Sequence, residues 1–167
     1  MEQNRGFGLV ELMITVFIVG LLATIAVPSF ASLLERMRLT SSVNEYVAAI
    51  QGARSLAVRE GRIALVCPSS DGTRCSTGVG YSSGWLITTD PAAASATERA
   101  WQPASDIRIN VNFGGSDPYI RFGPSGVPQQ SGGAFLAGTT TFCAGDQSRE
   151  VVLSRTGRVR TERDGNC

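Results

Sequence analysis

The sequence predicts an α+β protein in which one long N-terminal helix packs on an antiparallel β-sheet. Three observations support this fold class. An uncharged apolar segment occupies residues 12–27, and beyond it apolar residues recur every three or four positions as far as Ala57. After residue 61 the pattern changes to short alternating segments between turn residues, which is typical of strands. A helix followed by a run of strands indicates an α+β architecture.

The composition limits the functional classes that fit this chain. It has 167 residues, of which 17% are charged and 43% are hydrophobic, and its net charge is +1. This length suits one compact domain with a helical extension, and this charge excludes a globally basic protein. All 15 basic residues are arginine, and histidine is absent, so the commonest metal ligand and the commonest general base are both missing. We therefore expect no enzyme activity, no metal site and no cofactor.

The apolar segment is long enough to cross a membrane when its apolar neighbours are included. Residues 12–27 span roughly 24 Å as a helix, and the flanking residues 7–10 and 28–30 extend this to about 36 Å. A secretory signal peptide, a buried core helix and a simple membrane anchor are the alternatives. The segment ends in a poor signal-peptide cleavage site, and a core helix leaves Glu11 unexplained. A carboxylate in a membrane helix costs about 2.5 to 3.5 kcal/mol, so Glu11 marks a functional position.

The residues before this segment resemble the signal of type IV pilins. They are Gly6-Phe7-Gly8-Leu9-Val10-Glu11, followed at once by the apolar run. The resemblance implies that a prepilin peptidase in the membrane cleaves between Gly6 and Phe7 and that the new amine of Phe7 is then methylated. This amine lies four residues before Glu11, on the same helix face, and it or the amine of a neighbouring subunit neutralises the carboxylate. Glu11 would thereby set the register in which subunits dock.

These patterns predict the organisation of the whole chain. We expect a leader at residues 1–6, a transmembrane helix at 7–30, an amphipathic continuation of the helix at 31–61 and a β-rich head at 62–167. Strands are expected at residues 63–67, 85–89, 107–113, 119–122, 134–143, 150–155 and 158–162. The pilin resemblance implies a single-pass inner-membrane protein with a periplasmic head that later enters a filament.

The four cysteines are expected to form disulfides. They contain no Cys-x-x-Cys pair, so their spacing does not indicate a zinc site. The periplasm is oxidising, and three connectivities are open. We favour Cys67–Cys75 with Cys143–Cys167, because both pairs are local. The second pair would close a loop of about 25 residues and would contribute roughly 3 kcal/mol in the entropic description.

The C-terminal segment concentrates positive charge in a nearly neutral protein. Residues 154–163 contain four arginines and one glutamate. We expect Thr156-Gly157 to form a two-residue hairpin turn, with Arg155 opposite Arg158 and with Arg160 on the same face as Arg158. Guanidinium groups in this arrangement suit phosphate oxygens. The alternative is a solvated hairpin whose arginines pair with nearby acids, namely Asp146, Glu150, Glu162 and Asp164.

Taken together, the signal, the long helix, the β-rich head and the tail Gly157-Arg158-Val159-Arg160 resemble the GspH/FimT group of minor type IV pilins and type II secretion pseudopilins. The resemblance is strongest to FimT-like members. It implies assembly with other pilins or pseudopilins, and binding of double-stranded DNA through Arg158 and Arg160 during natural transformation. Arg155 is added by the hairpin argument. The alternative is a GspH- or FimU-like subunit that primes a type IV pilus or a secretion pseudopilus and does not bind DNA.

Overall fold

The computed structural model describes residues 8–114, 118–163 and 167 of the chain. The helix α1 spans Leu9–Glu60, as the sequence predicts. The strands that follow it are β1 (Ala64–Pro68), β2 (Trp85–Thr88), β3 (Thr97–Trp101), β4 (Arg108–Phe113), β5 (Ile120–Phe122), β6 (Pro128–Gln129), β7 (Gly138–Ala144), β8 (Gln147–Leu153) and β9 (Val159–Glu162). The fold class predicted from the sequence is confirmed.

The described residues divide into two compact units, the first ending at Glu35 and the second beginning at Arg36. The first unit is helical, and its large apolar side chains are exposed. It is long and apolar enough to cross a membrane, and none of its most apolar stretch is buried. Its hydroxyl groups bond within the helix: Thr15 donates to the carbonyl of Leu12 at 2.8 Å, and Thr24 donates to that of Leu21 at 2.7 Å. Polar groups satisfied in this way are compatible with a hydrocarbon environment.

The second unit contains two antiparallel sheets, where the sequence predicts one. Their strand orders are β3-β2-β1-β5-β6 and β4-β7-β8-β9. The partition depends on pairings between strands that are distant in sequence, since β1 pairs with β5 and β4 pairs with β7. Alternation along one strand identifies its buried face but not its partner, so the split is decided by tertiary contacts.

Two of the strands are absent from the sequence prediction. β3 is not predicted because it is an edge strand whose residues are exposed or half-buried, so its sequence shows no alternation. β6 contains only two residues. The boundaries of β7 and β8 also differ from the expected 134–143 and 150–155, since the hairpin that joins them turns at residues 145–146.

Tyr46 of α1 contacts residues of both sheets. It is fully buried, and its ring makes edge contacts with Trp85 on β2 and Phe142 on β7, at centroid distances of 5.5 and 5.2 Å. Its hydroxyl lies 3.1 Å from that of Thr140, also on β7. Burial raises the pKa of Tyr46, so the ring stays neutral at any physiological pH. Tyr46 therefore links the helix to both sheets within the core.

One kind of hairpin turn occurs at three places in this unit. In each, the first residue accepts a hydrogen bond from the fourth and donates one to the fifth, over residues 123–127, 130–134 and 154–158. The fourth residue is a glycine with positive φ: Gly126 at 72°, Gly133 at 81° and Gly157 at 79°. This is the three-residue hairpin loop with a glycine bulge. The third copy joins β8 to β9 and holds the arginine segment.

The structure contains the two disulfides that the sequence favours, Cys67–Cys75 and Cys143–Cys167. Within the loop closed by the first, the carboxylate of Asp71 accepts hydrogen bonds from the backbone N–H groups of Thr73 and Arg74, at 2.8 and 3.3 Å. These bonds, led by the one from Thr73, hold the pKa of Asp71 below its usual range.

Candidate nucleic-acid interface

The turn between β8 and β9 differs from the two-residue turn expected from the sequence. The N–H of Ser154 donates to the carbonyl of Arg158 at 2.9 Å, and the N–H of Gly157 donates to the carbonyl of Ser154 at 2.9 Å. Arg158 therefore faces Ser154, and Arg155 lies in the turn itself. The expected pairing of Arg155 with Arg158 is wrong. A two-residue hairpin turn of type I′ needs positive φ at both central residues. β-branched Thr156 adopts positive φ only with strain.

Local polar contacts hold this turn in place. The hydroxyl of Ser154 accepts the N–H of Arg158 at 3.0 Å and lies 3.0 Å from the hydroxyl of Thr156. Gly157 is buried, and a Cβ there would lie 3.2 Å from the carbonyl oxygen of Gly126 and 3.3 Å from Nη1 of Arg54. The glycine of the Gly-Arg-x-Arg pattern is therefore required by backbone conformation and by packing.

The arginines around the turn project into solvent. Leu153 pairs with Val159, and both face the core, whereas Val152 pairs with Arg160 on the opposite face. Alternation along the strand then places Arg158 on the same outer face as Arg160, as the sequence predicts. Arg155, Arg158 and Arg160 are all exposed. The structure thus brings the three predicted side chains to one corner of the unit, two on a strand face and one in the turn.

Charge pairing around these arginines is sparse. Nε of Arg160 lies 2.7 Å from a carboxylate oxygen of Glu162, and both side chains are about half exposed or more. Exposed pairs of this kind contribute about 0 to 1 kcal/mol, so a phosphate can compete for Arg160. Arg155 and Arg158 form no ion pair with any residue that the structure describes. Asp164, the other acid expected near this segment, lies outside the described residues.

A helix residue that the sequence analysis did not select supports the turn. Nη1 of Arg54 donates to the carbonyl of Gly157 at 3.2 Å, across a separation of 103 residues. Arg54 lies off the apolar stripe of α1. This position could have indicated from the sequence that Arg54 is on the exposed face of the helix. Sequence spacing gives no indication of which distant turn it contacts.

The other predicted site residues lie in two places. Gly6 and Phe7, the expected cleavage and methylation positions, lie outside the described residues. Glu11 occupies the first turn of α1, where its carboxylate accepts the N–H of Gly8 at 3.4 Å. This contact satisfies one of the N–H groups that a helix start leaves without a partner. Of the four cysteines, Cys143 and Cys167 join the end of β7 to position 167, beyond β9.

Comparison with known proteins relates this chain to bacterial filament and secretion proteins. The family model described as Type II transport protein GspH matches residues 42–157, and the model of the prokaryotic N-terminal methylation motif matches residues 1–27. Two fimbrial proteins of Pseudomonas aeruginosa are 42% identical to it over 62 residues, which are 37% of this chain and 40% of theirs. The chain therefore spans about two fifths of the length of the curated relatives it matches.

Two solved structures share its fold. The type IV minor pilin FimU of Pseudomonas aeruginosa superposes with a TM-score of 0.58 at 21% identity, covering 81% of this chain and 98% of that one. The minor pseudopilin EpsH of the Vibrio cholerae type 2 secretion system gives a TM-score of 0.52 at 11% identity, covering 77% of this chain and 99% of that one. Since the GspH model spans more than two thirds of the sequence, the chain belongs to the GspH family of type II transport proteins, and its fold is that of the minor pilins and pseudopilins.

Proposed function

We propose that this chain is a minor type IV pilin that is assembled into a filament and binds double-stranded DNA through Arg155, Arg158 and Arg160 for DNA uptake in natural transformation. Family membership and the pilin fold support the filament role. The observation that carries the DNA role is the exposure of Arg155 and Arg158 without an ion-pair partner among the described residues, on a turn fixed by Gly157.

The processing and membrane steps belong to the same proposal. A prepilin peptidase cuts between Gly6 and Phe7, and Phe7 becomes the methylated N-terminus. The apolar half of α1 crosses the inner membrane once, with the head in the periplasm, before the subunit enters the filament. The match of residues 1–27 to the methylation motif supports this route. Glu11 then exchanges its long contact with Gly8 for an amine, its own or a neighbouring pilin's, and so sets the register between subunits.

Phosphate recognition follows from the chemistry of the three side chains. Guanidinium groups bind phosphate oxygens in a bidentate manner and keep their charge at any physiological pH. Each contact to duplex DNA contributes about −0.9 to the slope of log affinity against log salt, so three arginines contribute about −2.7. A fourfold rise in salt, from 50 to 200 mM, would then weaken their contribution roughly 40-fold. Because phosphates carry no sequence information, two unrelated duplexes should bind alike.

The experiment is a fluorescence-anisotropy titration of a labelled duplex with the full chain in detergent, repeated at several salt concentrations. We expect the triple variant Arg155→Ala, Arg158→Ala, Arg160→Ala to bind much more weakly and with a slope shallower by about 2.7. Arg74→Ala, which removes one exposed charge from the Cys67–Cys75 loop, serves as a control. Equal binding by the wild type and the triple variant would rule out the proposed DNA role.

A second candidate is a subunit that primes assembly of a pilus or a type II secretion pseudopilus without contacting DNA. The family match, to a type II transport protein, favours this candidate. A deletion strain separates the two. Loss of transformation with normal filaments and secretion supports DNA binding, whereas loss of surface filaments or of protein export supports the priming role.

A further inference from the structure

A groove beside the hairpin carries positive charge from a second element of the fold. Its volume is about 690 Å³, and it lies between the last turns of α1 and the beginning of β9. Three arginines line it: Arg54 and Arg59 from the helix, and Arg158 from the hairpin. None of the described residues along its walls is acidic, and the two acids nearest to Arg59, Glu60 and Glu98, are not among the groove residues.

The helix arginines reach this groove because of their spacing. Gln51, Ser55 and Arg59 follow one another at intervals of four residues, and Arg54 lies between them, so all four occupy one exposed face of α1. The opposite face of the same turns packs into the core through Ala53 and Leu56.

Arg59 is held only weakly by nearby acids. Its guanidinium lies 3.9 Å from the carboxylate of Glu98 and 4.0 Å from that of Glu60, and its side chain is 62% exposed. Glu60 lies closer to Arg62 than to Arg59, with 2.6 Å between its carboxylate and the Arg62 guanidinium. A guanidinium group has five N–H donors. Among the described residues, Arg54 uses one of them, in the hydrogen bond to the carbonyl of Gly157. Both side chains therefore retain donors for an anion in the groove.

Resting on the DNA binding proposed above, we infer that this groove holds a stretch of phosphodiester backbone and that Arg59 is a further phosphate contact. The DNA-binding surface then extends from the hairpin onto the end of α1. The walls favour a backbone phosphate over an isolated small anion, because Val58 and Val159 provide apolar surface beside the charges, against which a sugar can pack. The neutral side chains of Gln51 and Ser55 supply further hydrogen bonds.

The test compares single charge removals in the same full chain, with a labelled DNA duplex as the probe. We expect Arg59→Gln to bind about eightfold more weakly at 0.1 M salt and to reduce the steepness of the salt slope by about 0.9, the effect of one lost contact. Arg36→Gln is the matched control, since it removes the same charge from the same helix about 35 Å away, where no ion pair to a described residue is lost. It should change affinity less than twofold.

An opposite substitution gives a second, independent readout. Glu98→Gln removes the acid nearest to Arg59 and should tighten binding by a factor of about 1.5 to 5, the range that an exposed ion pair contributes. Thermal unfolding of each variant shows whether the fold is intact.

The possible failures are distinguishable. If the hairpin triple variant loses binding while Arg59→Gln does not, the groove is no phosphate site and the proposed function stands. If Arg36→Gln weakens binding as much as Arg59→Gln, the effect is one of net charge, and the inference is overturned. If neither the triple variant nor Arg59→Gln changes binding, the proposed DNA role fails and this inference fails with it.

Discussion

Replacing Gly157 by alanine should destabilise the C-terminal unit more than the same replacement in an otherwise similar turn. The chain offers two matched controls. Gly133 occupies the equivalent position of the turn at 130–134, with φ of 81° against 79° for Gly157, but a Cβ at Gly133 would meet nothing within 4 Å. Gly132 has open space too and does not have positive φ.

The magnitudes follow from these three environments. At Gly132, alanine lowers the entropy of the unfolded chain and should be neutral or stabilising by about 0.4 to 1 kcal/mol. At Gly133, the left-handed conformation costs about 1 to 2 kcal/mol and outweighs that gain. At Gly157 the new Cβ would also lie 3.2 to 3.3 Å from the Gly126 carbonyl, Nη1 of Arg54 and Cδ of Pro128. Overpacking of this kind typically costs 1 to 3 kcal/mol more, so after the gain from the unfolded chain we expect a net loss of about 1 to 4.5 kcal/mol.

The assay is urea unfolding of the full chain in detergent, followed by tryptophan fluorescence, since Trp85 is fully buried in the unit being tested. We expect stability to fall in the order Gly132→Ala, wild type, Gly133→Ala, Gly157→Ala. If Gly157→Ala matched Gly133→Ala, close packing against Arg54 and Gly126 would contribute nothing. If it matched Gly132→Ala, the requirement for glycine at this turn would be refuted.

Two further predictions concern the disulfides and the loop that one of them closes. Replacing Cys143 and Cys167 together by serine should lower the free energy of unfolding by roughly 3 kcal/mol. The disulfide joins residues 24 positions apart, and this separation sets the loop entropy that the unfolded chain regains. An unchanged urea unfolding curve would contradict this. Asp71→Asn should destabilise the protein at pH 7, and the difference should shrink as the pH falls below about 4, because a carboxylate with a lowered pKa stabilises the fold only while it is ionised. Urea unfolding at pH 7 and pH 2 measures this difference, and an equal effect at both values would show that the charge of Asp71 is not responsible.

Much of the fold could be predicted because it depends on local patterns. The extent of α1 follows from the apolar run, from the spacing of three and four beyond it, and from Gly61, whose φ of 65° matches a helix stop. The pairing of Cys67 with Cys75 follows from proximity along the chain. β3 was missed because both faces of an edge strand with exposed residues carry polar side chains, which removes the alternation that sequence analysis relies on.

The loop length of the β8–β9 hairpin could not be predicted from the local sequence. The sequence Ser-Arg-Thr-Gly-Arg contains the glycine of this turn, but it does not set the length of the loop. A two-residue loop needs positive φ at both Thr156 and Gly157, whereas the observed three-residue loop needs it at Gly157 alone. A one-residue difference in the turn changed the partner of Arg158 from Arg155 to Ser154. The same turn occurs at residues 123–127 and 130–134, and each copy has glycine at its fourth position. This shared glycine position could have indicated the three-residue loop from the sequence.

By itself, the amino-acid sequence determined the long helix, its apolar first half, the strand-rich remainder and the exposed arginines near the C-terminus, because each is encoded by residues close together in the chain. Only the tertiary structure decided that the strands form two sheets and that Arg54 supports the turn of Gly157. It also decided that Arg59 and Arg158 line one groove. The contacts of the two helix arginines with the hairpin join residues about 100 positions apart, and they exist only once Tyr46 and the core around it have fixed the helix against both sheets.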